Sequence, residues 1–263
     1  MDTLDDDAES IGYFSRDPNV QAVIVFVHGF MGDKLTTWNK MHEELLLQPS
    51  VAKCDVVFYG YSSVQPQALA SAGLLRQFLA DLAPISPSMT ARLPAELRNS
   101  TKNDYRKVLI VAHSFGAALA RRAILDAHQN GDAWAKKTAL LLFAPAHCGA
   151  QLAELKRELA KNLKLVSWLS ILLAPASQAL LDLERGSVFM TALREQTIEE
   201  LKNSSADCLK AKKVIFGQRD NVVIIERFCK DPQETIWRGH NHVSVCKVSP
   251  GFTDPMKEVL NQL

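Results

Sequence analysis

Along the chain, short unbroken apolar runs alternate with longer stretches whose apolar residues recur at helical spacing. Residues 22–27 (AVIVFV) are β-branched or aromatic almost throughout, the pattern of a strand buried on both faces. Residues 55–59 (DVVFY), 107–112 (KVLIVA), 138–144 (TALLLFA) and 213–217 (KVIFG) read the same way, and 235–237 predict a short sixth strand. Between them, 38–47 reads as a helix capped by Thr36 or Thr37. Residues 67–82 place Leu69, Ala72, Leu75, Phe78, Leu79 and Leu82 on one helical face. Residues 114–129 read as an Ala-rich helix and 254–263 as a closing one, while Pro84, Pro87 and Pro94 mark a loop. Strands alternating with helices predict an α/β fold, a mostly parallel sheet covered on both faces.

Two stretches depart from this rhythm. Residues 1–20 open with Asp2, Asp5, Asp6, Asp7 and Glu9 and read as a flexible acidic arm, so a single α/β domain is expected over 21–263. Between the fourth and fifth strands roughly 65 residues read as helix only, far more than one crossover needs. The excess, about 150–210, predicts a helical cap inserted over the carboxyl edge of the sheet, where open α/β sheets bind ligands. Within it, 163–173 is strongly apolar, includes Trp168 and Leu169, and follows Lys156, Arg157, Lys161 and Lys164. It reads either as a lid over an acyl groove, touching a membrane surface, or as a buried cap helix.

Composition narrows the class. The 263 residues are 47% hydrophobic and carry a formal charge of +1, so no global field gathers nucleic acid. Five widely spaced cysteines make neither a disulfide framework nor a C-x-x-C pair, which points to a reducing compartment. The acidic start lacks the pattern of a signal peptide, and no apolar run reaches the roughly 20 residues that span a bilayer, so a cytoplasmic protein is expected.

The chemistry gathers at predicted strand ends. Ala112-His113-Ser114-Phe115-Gly116 sits between a strand and a helix. A tight turn there lifts the serine hydroxyl above the sheet, and small residues at Ala112 and Gly116 let backbones approach. A serine needs a base to take its proton, and the base needs an acid to orient it. Asp220 follows the fifth strand and is the expected acid, with Glu226 and Asp231 as substitutes. His240 and His242 follow the sixth, and either could be the base; His242 is favoured because it opens a plausible closing loop. His28-Gly29-Phe30-Met31-Gly32 follows the first strand, which offers the amide of Phe30, with that of Phe115, to a developing oxyanion. Gly29, Met31, His147, Trp168 and Leu169 are the expected substrate-binding residues. The H-x-H pair has no companion ligands, so neither metal nor cofactor is expected. Cys148 reads as a bystander near the pocket.

Taken together, H-G-F-x-G, T-T-W, A-H-S-F-G, A-P-A-H-C-G-A, G-x-x-D-N-V-V and H-V-S-V-C-K resemble the lipase-like α/β-hydrolases, a group that includes GPI-inositol deacylases and related serine esterases. The resemblance implies an α/β-hydrolase fold with Ser114 as nucleophile, Asp220 as acid, His242 as base, and Phe30 and Phe115 as oxyanion donors. Residues 144–150 resemble a pocket-bordering stretch, with Ala146 inserted before His147 and Ala150 in place of Ser. The expected activity is cleavage of a carboxylic ester of a small-molecule or lipid acyl substrate through an acyl-enzyme. The alternatives are acyl transfer or thioester cleavage by the same residues, a peptidase, and a silent binding module on the same scaffold.

Overall fold

The structure, a computed structural model, describes residues 2–5, 10–17, 19–63, 67–83, 89, 105–162, 178–202 and 206–263. Its strands are β1 (Asp2–Asp5), β2 (Ile11–Phe14), β3 (Ala22–Val27), β4 (Cys54–Tyr59), β5 (Lys107–His113), β6 (Thr138–Phe143), β7 (Ala211–Gly217) and β8 (Thr235–Trp237). They form one sheet in the order β1-β2-β4-β3-β5-β6-β7-β8. Every pairing from β4 to β8 is parallel. All residues of β3, β4 and β6 are buried, as their unbroken apolar runs require.

The helices among the described residues are α1 (Met41–Leu46), α2 (Ala68–Leu82), α3 (Phe115–Gln129), α4 (Leu152–Asn162), α5 (Gln178–Asp182), α6 (Val188–Glu200) and α7 (Asp254–Leu260). Helix α2 packs on α3, and α1 on α7. Between β6 and β7 the described elements are helical: α4, α5, α6 and a single 3₁₀ turn, Asp207–Leu209. The apolar stretch 163–173, with Trp168 and Leu169, lies outside the described residues.

Two expectations need correction. Residues 1–20 are not simply an arm, because β1 and β2 pair antiparallel and β2 adds antiparallel to β4. Phe14 is the anchor; its ring is buried, and this apolar contact outweighs the acidic character of the segment. Helix α1 also begins later than expected, with neither threonine as its cap. The Thr37 hydroxyl instead accepts from the Asp33 amide, and Trp38 is fully buried ahead of the helix.

The chain runs from β3 outward to β4, then returns to the other side of β3 to enter β5. Connections therefore leave the carboxyl ends of β3 and β5 toward opposite flanks. This reversal opens a crevice at the sheet edge, and the loops after β3 and β5 stand on either side of it.

Candidate active site

Ser114 joins β5 to α3 with φ 53 and ψ −122, a conformation that costs a non-glycine residue energy and persists only where the surroundings enforce it. The enforcement is visible. The Ser114 amide donates to Phe143 O at 3.1 Å, and its carbonyl accepts from the amides of Ala117 and Ala146. Gly116 is obligatory: a Cβ there would stand 2.2 Å from the His28 carbonyl oxygen and 2.6 Å from that of Val27. The turn is thus wedged against the end of β3, and its hydroxyl sits at the N-terminus of α3.

His242, in the loop after β8, places Nε2 2.9 Å from the Ser114 hydroxyl and Nδ1 3.0 Å from Asp220 Oδ2. With Nδ1 protonated, the imidazole donates to Asp220 and accepts from Ser114. The other oxygen of Asp220 accepts from the amides of Val222 and Val223, so the carboxylate cannot swing. Burial alone raises the Asp220 pKa, but the hydrogen bond from His242, its charge and the two amides outweigh it and hold the carboxyl below its ordinary value. All three side chains are nearly excluded from solvent. Gly217, at the end of β7, would clash through a Cβ with His240 O at 2.4 Å; its smallness lets the acid and histidine loops run side by side.

The other candidates lie elsewhere. His240 stacks on Phe252 with ring centroids 3.8 Å apart. Asp231 is buried against Arg121, and Glu226 pairs with Arg185 and Arg194. His147 accepts from Arg121 Nε and borders a separate depression with Cys148, Arg185 and Arg194. Burial pushes the Cys148 thiol up to about 11, which leaves it protonated and inert at neutral pH.

A cleft of about 290 Å³ opens over the serine. Gly29, Phe30, Met31 and Gly32 line it, with Asp33, Thr36, Thr37, His113, Leu155, Val243 and Lys247. The 29–32 segment is a turn closed by Gly32 N donating to Gly29 O at 3.0 Å, with Met31 at φ 55. Among the described residues, neither the Phe30 nor the Phe115 amide has a hydrogen-bond acceptor in the protein.

Several supporting residues escaped the sequence reading. Tyr61 stacks on His28 and donates its hydroxyl to the His28 carbonyl at 2.8 Å, and Ser63 accepts from the Met31 amide at 2.7 Å. Together they hold the 28–31 segment from the loop after β4. His113 Nε2 donates to the His242 carbonyl at 2.9 Å. Burial, aided by the neighbouring His242, lowers the His113 pKa to about 3, so its ring is neutral. Adjacency to Ser114 was the one available signal for His113; Tyr61 and Ser63 carried none. No group of three or more His, Cys, Asp or Glu side chains among the described residues is gathered to hold a metal ion. Nor is any described helix long and apolar enough to cross a membrane.

A parallel sheet with antiparallel leading strands, and a serine in a tight β5–α3 turn in contact with a histidine and aspartate from the last two strand ends, define the α/β-hydrolase fold. Solved structures of that fold superpose on three quarters or more of the chain. The peroxisomal alpha-beta-hydrolase Lpx1 of Saccharomyces cerevisiae matches with a TM-score of 0.58 and 13% identity, over 96% of this chain and 80% of that one. A monoacylglycerol lipase of Paleococcus ferrophilus matches with a TM-score of 0.54 and 12% identity, over 100% and 98%. Phospholipase PlaB of Legionella pneumophila matches with a TM-score of 0.51 and 20% identity, over 76% of this chain but 38% of that longer one. No protein-family model and no curated protein matches the chain.

Proposed function

We propose that the protein is a serine hydrolase that cleaves a carboxylic ester through an acyl-enzyme on Ser114. The observation that carries this reading is the unbroken relay Asp220–His242–Ser114, whose serine and histidine line the cleft. His242 takes the hydroxyl proton as Ser114 attacks the acyl carbon, and Asp220 stabilises the imidazolium. The carbonyl oxygen becomes an oxyanion held by the Phe30 and Phe115 amides, each worth about 3–4 kcal/mol of transition-state stabilisation. His242 then protonates the leaving alcohol, and water, activated by the same imidazole, releases the acid.

The substrate is a lipid-like or other acyl ester. Phe30, Met31, Leu155 and Val243 give the cleft walls that suit an alkyl chain. The helical segment between β6 and β7 is read as a cap on a single hydrolase domain. The lipase and phospholipase among the structural neighbours favour the same substrate class.

The test is labelling of the purified protein with a fluorophosphonate, with the adduct located by peptide mass. The reading requires an adduct on Ser114 that disappears in Ser114→Ala and His242→Ala, and ester turnover that falls about a million-fold in either variant. Turnover that survives Ser114→Ala would refute it. Product analysis with competing alcohols and thiols separates hydrolysis from acyl transfer.

A further inference from the structure

The cleft contains a cation that the reaction above does not use. Lys247 lines the same cavity as Ser114 and His242, and its side chain is only partly exposed. Among the described residues its ammonium has neither an ion-pair partner nor a hydrogen bond. Its backbone is held on both sides. The Cys246 thiol donates to Thr37 O at 3.5 Å, the Val248 amide donates to Trp38 O at 3.4 Å, and Asn39 Nδ2 donates to Val248 O at 2.7 Å. Lys247 therefore stands on a fixed wall shared with Thr36 and Thr37, which also line the cavity.

The other formal charge on the cavity wall among its described lining residues, Asp33, is already engaged. Its Oδ1 accepts from the Leu35 and Thr36 amides, at 3.1 and 2.9 Å. His113 is neutral, and Asp220 is screened behind His242. Asp33 keeps its negative charge, so the cavity wall carries one formal charge of each sign, and Lys247 is the one whose charged group has no partner among the described residues, on a wall that also includes Phe30, Met31, Leu155 and Val243. A partly desolvated ammonium interacts more strongly with an anion than the same group in open water, because the surrounding apolar walls screen it less.

We propose that Lys247 sets the charge selectivity of the cleft, favouring acyl esters that carry a phosphate or carboxylate close to the scissile bond. This rests on the assignment of Ser114 as nucleophile. The anionic group can belong to either half of the ester, a phosphorylated leaving alcohol or a carboxylated acyl chain. Lysine suits either, since its ammonium is a compact point charge on a flexible stem with no demand for planar, two-point contact.

The experiment compares kcat/KM within two matched pairs. A monoacylglycerol and the lysophosphatidate of equal chain length differ on the leaving side; nitrophenyl butyrate and nitrophenyl hemiglutarate differ on the acyl side. The wild-type protein is expected to prefer the anionic member of at least one pair by about tenfold, and the pair that responds identifies the side. Lys247→Met should abolish that preference, Lys247→Arg should keep it, and Lys247→Glu should invert it. A ratio that is the same in wild type and Lys247→Met for both pairs, or an equal loss on both members, overturns the proposal while fluorophosphonate labelling of Ser114 leaves the hydrolase reading standing. Failure of that labelling, with no turnover of any of the four esters, overturns both.

Discussion

Ser114 and Gly116 show how much of the site depends on single residues tolerating unusual demands. Ser114 accepts a positive φ, and the clearance at Gly116 is set by main-chain atoms that cannot rotate away. Gly116→Ala is therefore expected to cost more than ordinary overpacking, about 3 kcal/mol or more, as read by urea unfolding. A loss below about 1 kcal/mol would mean that β3 and α3 part easily. The motif around Ser114 was legible because small residues at Ala112 and Gly116 flank it between a strand run and a helical run. Tyr61 and Ser63 were not legible, since each acts across a fold contact from a loop with no pattern of its own, and Lys247, though it ends the H-V-S-V-C-K motif, gave no sign that it lines the cleft.

At the scale of elements, α3 is tied to the far half of the sheet by a buried charge cluster. Arg121 on α3 pairs with Asp231, donates to Leu209 O, and lies 4.3 Å from the centre of the Phe228 ring. Asp231 also accepts from the Ala211 amide at the start of β7. Breaking one partner leaves a buried charge uncompensated, so Asp231→Asn should lower stability by about 3–5 kcal/mol in chemical denaturation. A neutral result would show that water reaches the pair. The strands from β3 to β7 were readable because burial on both faces demands unbroken apolar runs. Strand β2 was not, since four residues beside an acidic stretch leave too short a signal and only pairing with β4 buries Phe14. The start of α1 was misread because Thr37 serves the Asp33 amide instead of a helix end.

For the whole molecule, buried neutral histidines set the response to acid. Burial lowers the pKa of His28, His113 and His147, with the charge of Arg121 adding to the effect at His147. Unfolding returns each to about 6.5, so below that pH the unfolded chain takes up protons that the folded one refuses. Stability is complete above pH 6.5 and falls as the pH drops toward the folded values, by about 1.4 kcal/mol per pH unit for each histidine still neutral. Asp220 has a depressed pKa and adds its own loss only below about 3.8. Urea unfolding at pH 7, 6 and 5 should show a progressive fall in stability; a flat profile would contradict the burial of these rings in solution.

The sequence by itself determined the α/β alternation, the strand ends at which reactive residues appear, and the order of serine, acid and histidine along the chain, because two-sided burial writes itself into local composition. Tertiary structure alone decided which histidine meets the serine, since His240 and His242 are two residues apart in the same loop. The packing of His240 on Phe252 and the grip of His113 on the His242 carbonyl separate them. It also decided that the N-terminal segment joins the sheet and that Lys247 faces the cleft. These outcomes depend on contacts between residues distant in the chain, and such contacts leave no period in the sequence.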